Sequence, residues 1–408
     1  MKKKRIVFAL ALVAILLSSC ATQKNVLESD VKEDQLYLEN VLNIDLNGEF
    51  VSKADFIDEV ATISGADLSD VSDVFVAIVK ASGFEELALT YSEEKAQERL
   101  DYYQVSEIES SDSKYVACAL DSHMIDPSLI SSILDDDINK DVASVLLMNV
   151  AQVNGNARHY IGSVSDQDIM NKIATAFDSY YIFSDNNLDV VGKELVKAKD
   201  STGYNLKKEG FNSNFVSSLT IKYGHCDETH LKQLVALLNS EGIDAKIQIE
   251  PKVSVYQYLL EWGPIPEPSY SYFVEQYSDD LYLVNALEYD ALFEFESEAD
   301  LLDFDRIINQ YSKKNSENQA DDSDVKLISG AWWQPLYSSV DMHDEDAYVA
   351  IYDSVALEGG YSIHPFTLEE TKDELASNMR DLTNAPIELR KFYVNNAFYR
   401  YLTGESWE

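Results

Sequence analysis

Residues 223–250 read YGHCDETHLKQLVALLNSEGIDAKIQIE and hold one of only three cysteines in a chain of 408 residues. From Asp227 onward Leu231, Leu234, Val235 and Leu238 recur at helical spacing, which predicts a helix with one strongly apolar stripe. Asp227 and Glu228 fall in its first turn, where negative charge suits the helix dipole, and Gly242 stands where a left-handed residue ends a helix. Beyond it Ile243, Ala245, Ile247 and Ile249 alternate with polar residues, so a half-buried strand is expected with the apolar set turned inward. Cys226 then sits at or just before the first helical residue, where unpaired N–H groups and the dipole favour a thiolate. The carboxylates of Asp227 and Glu228 oppose one, so a nucleophilic thiol at this place needs a histidine base.

The N-terminus has the order of a secretory signal: the basic MKKKR, the apolar IVFALALVAILL, then Leu17-Ser18-Ser19-Cys20. The run is too short for a stable membrane span. Leu-Ser-Ser-Cys resembles the lipobox of bacterial lipoproteins, which implies cleavage after residue 19 and a diacylglycerol thioether on Cys20. Ala21 stands where an inner-membrane retention signal would carry aspartate. The expected address is therefore the cell envelope, lipid-anchored and extracytoplasmic, with the outer membrane or outer surface favoured. The partner this implies is a membrane, met through the lipid on Cys20, and the oligomeric state is left open. A net charge of −40 repels nucleic acid and anionic head groups, and nucleic-acid binding is set aside. The other cysteines are Cys118 and Cys226, a pair that an oxidising compartment could join as a disulfide.

Along the chain, residues 20–35 are polar and read as a tether. Residues 36–160 carry short helical patterns with start and stop signals, such as LSDVSDVFVAIVKASG at 68–83, and are expected to form a helical domain. Within it DDDINKD puts Asp135, Asp137, Asn139 and Asp141 at alternate positions, the first half of a calcium-loop pattern. Lys140 stands in place of its glycine and Leu146 in place of its bidentate glutamate, so a solvated helix junction is preferred. The proline-rich EWGPIPEPSYSYF at 261–273 excludes regular structure and offers Tyr270, Tyr272 and Phe273 as a groove or as loop packing. Near the end DAYVAIYDS and GGYSIHPF alternate on either side of Glu358-Gly359-Gly360 and read as a hairpin.

Gly224-His225-Cys226, the helix LKQLVALLN and the following SEGIDAKIQIE together resemble the nucleophile segment of the transglutaminase-like superfamily. That pattern is Gly-x-Cys, a helix rich in Leu and Ala, then Gly-Ile-x-Ala-Arg and a strand, with Lys246 here in place of the arginine. The resemblance spans about 28 residues. It implies a papain-like fold and a Cys-His-Asp triad for acyl transfer or for peptide or amide hydrolysis, with no metal and no organic cofactor. The fold class expected is thus α+β: the helical domain, then a transglutaminase-like domain over 161–408 with an inserted α/β segment near 281–327. The family takes its histidine and aspartate from a hairpin. Aligned on the last two strands, Asp346 stands where the histidine belongs and His364 where the aspartate belongs; aligned on GAWWQPLY, the histidine position is Gly330.

Three arrangements stay open. His364 serves as base for Cys226 with Asp346 as its orienter, since a triad is defined by geometry rather than chain order; or His343 reaches in from the preceding loop; or the site lacks catalysis and the fold serves binding or structure. The substrates such a site implies in this location are peptides or peptidoglycan-derived stem peptides. His225, Cys226 and His230 also invite a zinc reading, but two more ligands would have to come from elsewhere.

Overall fold

The computed structural model describes residues 31–106, 108, 112–311 and 335–403. Cys20, the signal segment, most of the tether and Gly330 lie outside these. The chain separates into two compact units, divided between Arg158 and His159.

The first unit holds short helices at 31–40, Lys53–Ser64, Val74–Ala81, Glu85–Leu89, Glu93–Tyr102, Ser113–Asp121, Ile130–Leu134 and Lys140–Val153. It is not purely helical: β1 (Phe50–Ser52) and β2 (Asp137–Asn139) form an antiparallel ribbon. Helix ends rest on local chemistry. Ser52 Oγ accepts the Asp55 N–H at the start of one helix, and Gly65, at φ 67°, ends it. The DDDINKD run is used in the same way, because Asn139 Oδ1 accepts the Asp141 N–H and Asp141 accepts from Gln35. Cys118 is buried on the helix Ser113–Asp121, and both it and Cys226 are free thiols.

The second unit is built from β3 (Gly162–Ser163), β4 (Gly203–Lys208), β5 (Thr220–His225), β6 (Ala245–Tyr258), β7 (Tyr272–Ser278), β8 (Leu281–Phe295), β9 (Tyr337–Ser339), β10 (Tyr348–Glu358), β11 (Tyr361–His364), β12 (Phe366–Thr367) and β13 (Ile387–Asn395). Eight of them close on themselves in the order β6, β4, β11, β10, β13, β9, β5, β8 and back to β6, every pair antiparallel. The remaining three are additions, β3 on β6, β7 on β8 and β12 on β10. This closed barrel overturns the expected α+β class of a helical domain followed by a papain-like one. β8, expected inside an insertion, is a full stave paired with β6 from Ala245↔Phe295 to Tyr258↔Tyr282. Closure removes the open sheet edges that a shorter, flatter sheet would have to protect.

The helix–turn–strand reading of 223–250 describes its local structure. The helix runs Glu228–Ser240, Asp227 Oδ1 accepts the Thr229 N–H at its start, and Gly242 has φ 76°. The hairpin turn between β10 and β11 is likewise Gly359-Gly360, at φ 58° and 83°, the pair of left-handed residues a tight two-residue turn demands.

The packing decides what the sequence left open. Ile247, Ile249, Val253 and Val255 of β6 face outward, where helices cover them, together with Tyr289, Ala291 and Phe293 of β8. The helices Ile169–Asp178, Glu228–Ser240 and Glu298–Tyr311 cover one side of the barrel, and Asn186–Ala198 and Lys372–Leu382 another. The alternate residues of β6 point at the barrel axis and are also buried: Gln248 is 1 % exposed, Glu250 7 %, Lys252 9 % and Ser254 7 %. The expected inward-facing apolar set thus faces helices on the outer wall, and the lumen takes the polar set.

Candidate functional site

The lumen holds a cavity of about 910 Å³. Its charged lining includes Lys207 from β4, Lys222 from β5, Glu250 and Lys252 from β6, Glu288 and Asp290 from β8, Asp353 from β10, His364 from β11 and Arg390 from β13. Most lie at alternate positions flanked by apolar residues, as Lys222, Glu250, Lys252, Glu288 and Asp290 do, which is how a strand places one charge inward without exposing its outer face.

Asp290 is the hub. Lys207 Nζ lies 2.5 Å from its Oδ2 and Lys252 Nζ 2.8 Å from its Oδ1. Burial alone would drive this carboxyl toward its neutral form, but the ammonium groups of Lys207, Lys252 and Lys222 overcome that and hold it well below the usual carboxylate range. Glu250 sits 3.6 Å from both Lys207 and Lys222. Burial pushes the Lys222 ammonium toward the neutral amine; Glu250 opposes this and Lys207 adds to it. Gly224, between Lys222 and Cys226 on the wall, has no side chain to fill the space: a Cβ there would stand 3.3 Å from Asp290 Oδ1 and 3.4 Å from Lys252 Nζ.

A second chain of contacts runs along β11. The Ser362 hydroxyl donates to Glu209, His364 Nε2 lies 2.8 Å from Ser362 Oγ, and His364 Nδ1 lies 2.6 Å from Asp353 Oδ2. These distances match those of a Ser-His-Asp triad, but the proton inventory does not. Ser362 has one proton and gives it to Glu209, so the ring must supply the proton of the Ser362–His364 bond. Nε2 is then a donor and cannot take a proton from the serine, which is itself fully buried. We read this chain as wall structure that locks His364.

The residues singled out from the sequence are distributed as follows. Cys226 and His364 line the same lumen, whereas His343 and Asp346 are not among its lining residues. Both ring nitrogens of His364 are occupied as above, and its acid is Asp353 rather than Asp346. Asp346 is exposed in a turn, its N–H donating to Asp344. His343 Nε2 lies 2.8 Å from Ser339 Oγ. Cys226 is exposed, but the protein wall around its sulfur still raises the thiol, and Glu288 and Asp227 push it the same way. The helix start therefore does not yield a thiolate here. Labelling of Cys226 by iodoacetamide is accordingly expected to be slow at neutral pH and to accelerate only as pH climbs past about 9; a rate already level below pH 7.5 would contradict this geometry. His230 occupies the buried face of its helix, 2.9 Å from the Tyr223 hydroxyl, and its ring stacks on His225 with centroids 3.8 Å apart. Among the described residues no group of three or more His, Cys, Asp or Glu side chains is placed to hold a metal ion.

Sequence reasoning missed Lys207, Lys222, Lys252, Glu288 and Asp290. For Lys252, Glu288 and Asp290 the signal was present in the period of two through IQIEPKVSVYQY and ALEYDALFEF, where Gln248, Glu250, Lys252 and Ser254, and Glu288 and Asp290, alternate with apolar residues. Near the lumen lies a set of aromatic rings, Phe366 against Phe392 at 5.3 Å and against Phe398 at 6.4 Å, with Tyr401 6.4 Å from Phe398.

Compared with family models, with curated proteins and with solved structures, the chain finds no match in any of the three.

Proposed function

We propose that this chain is an envelope-anchored binding lipoprotein whose barrel lumen takes up a small polar ligand. The observation that carries the reading is a cavity of about 910 Å³ walled by charged side chains that the fold has gone to the trouble of burying. That size suits a ligand of modest mass. Buried charge costs stability unless it is paired, so a wall that holds several such groups around open space supports a role in recognition. The anchoring half of the proposal rests on the lipobox resemblance at Cys20. Thiol-dependent acyl transfer loses its support, because the fold it was inferred from is replaced by a barrel, His364 has no free nitrogen and the Cys226 thiol is raised.

The test is a thermal-shift and calorimetric screen of the purified full chain against free amino acids, short peptides and neutral sugars, beside an Asn205→Trp variant that fills the lumen from β4. Saturable binding of at least one class, lost in the variant while its circular dichroism spectrum is kept, is the expected result. Binding that Asn205→Trp leaves unchanged, or no binding by any class, overturns the proposal.

A further inference from the structure

Most charges of the lumen are spent on one another. Asp290 takes Lys207 and Lys252, Arg390 Nη2 lies 2.6 Å from Glu388, and His364 takes Asp353. Two groups are not. Lys222 has three N–H donors and no hydrogen-bond acceptor among the described residues, its nearest carboxylate being Glu250 at 3.6 Å, shared with Lys207. Glu288 accepts from Ser254 at 2.6 Å through Oε2, with Lys252 at 3.9 Å, which leaves it capacity for further donors. Their side chains are 36 % and 30 % exposed, and both line the same cavity.

The register sets their separation. Lys222 pairs with Leu292 across β5 and β8, and Glu288 lies four residues back along β8. At about 3.3 Å per residue this is roughly 13 Å of wall, which two long side chains can widen or narrow at their tips. Between them on the wall stand Gly224 of β5 and, paired with it, Asp290 of β8. Tyr256 and Tyr401 lie near Glu288, since its charge contributes to raising both phenols after burial, which is the larger cause. Aromatic faces beside a carboxylate suit an ammonium ion.

We infer that the ligand of the lumen is a short linear peptide with free ends, its terminal carboxylate seated on Lys222 and its terminal ammonium on Glu288. An extended tripeptide spans about 10 Å; with a contact of about 2.8 Å at each end it needs roughly 16 Å, which the two side chains reach by splaying apart at their tips. Gly224 lies beneath the Asp290 and Lys252 pair, so the peptide backbone runs over that pair and not against the β5 wall. This inference rests on the lumen being the binding site and adds the class and direction of what binds.

The experiment is calorimetric titration of the full chain with trialanine, N-acetyl-trialanine, trialanine amide and a neutral trisaccharide, repeated with Lys222→Met and Glu288→Gln. Both residues are partly exposed and Gln keeps the Ser254 bond, and unchanged thermal melts would confirm that the variants fold. Free trialanine is expected to bind, with roughly 10- to 100-fold loss when either end is blocked, as for a lost charge-assisted contact. Lys222→Met should abolish the penalty of amidation alone, and Glu288→Gln that of acetylation alone. Blocked peptides binding as tightly as the free one overturn the inference. Trisaccharide binding without peptide binding overturns it while sparing the lumen as a site; binding of neither, under conditions where Asn205→Trp also changes nothing, removes both.

Discussion

Replacing Asp290 by alanine is expected to cost the barrel about 3 kcal/mol in urea unfolding. The residue is buried, and its removal leaves the ammonium groups of Lys207 and Lys252 with only distant carboxylates, Glu250 at 3.6 Å from the first and Glu288 at 3.9 Å from the second. Breaking a buried pair is costly because the surviving charge loses its compensation, and the lower end of the usual range applies here because the lumen admits solvent. Asp290→Asn, which keeps the volume, should lose nearly as much, and this outcome separates charge from packing. A pH series sharpens the expectation. The folded carboxyl titrates well below the ordinary 3.8 of the unfolded chain. Its stabilisation is therefore fully present above that ordinary value and is lost as pH falls below it toward the folded value. The native chain should show this acid-side decline in the denaturation midpoint, and Asp290→Ala should lack it. Equal acid slopes in both would show that the pair does not stabilise the fold.

Gly192→Ala is expected to destabilise by about 2 kcal/mol, although alanine is the better helix former by about 1 kcal/mol. Gly192 lies within the helix Asn186–Ala198, and the Tyr204 ring of β4 packs flat on it, so an added Cβ would fall inside the ring's van der Waals envelope. The ring has little freedom to retreat: it is buried, and its hydroxyl lies 3.1 Å from Asp189 Oδ1, one turn back on the same helix. Either the helix lifts from the barrel wall or the ring leaves its place. In the double variant Gly192→Ala with Tyr204→Leu the penalty of the alanine should shrink below that seen in the native background, and thermal melts of the four proteins measure this coupling. Additive effects would mean that the contact is not what fixes the glycine.

The reach of sequence reading can be judged from residues 223–250. The helix, its Asp227 cap, the left-handed Gly242 and the strand beyond were all legible, because each depends on chemistry within a few residues. The resemblance to a transglutaminase-like segment drew on those same local features. A capped amphipathic helix that turns through glycine into a strand serves any fold that lays a helix on a sheet, so it could not choose between a papain-like domain and a barrel. The acid beside His364 was illegible for a related reason: Asp346 is near the right strand, but it is the pairing of β10 with β12, Asp353 opposite Phe366, that brings Asp353 to His364.

By itself the sequence determined many of the local elements, the acidity that argues against nucleic acid, and the two unlike faces of β6 and β8, one apolar and one largely polar. It did not determine which face points to the axis. Alternation reports that two environments differ, and the usual inference puts the apolar one at the centre. Here both faces are buried, the apolar one beneath helices and the charged one in the lumen, because β6 and β8 pair with each other along their length and with further staves beyond, until the sheet closes. Ring closure is set by pairings between strands as distant in sequence as β4 and β11. That long-range choice turned a row of ordinary surface charges into a wall of buried ones, with Lys222 and Glu288 left facing open space.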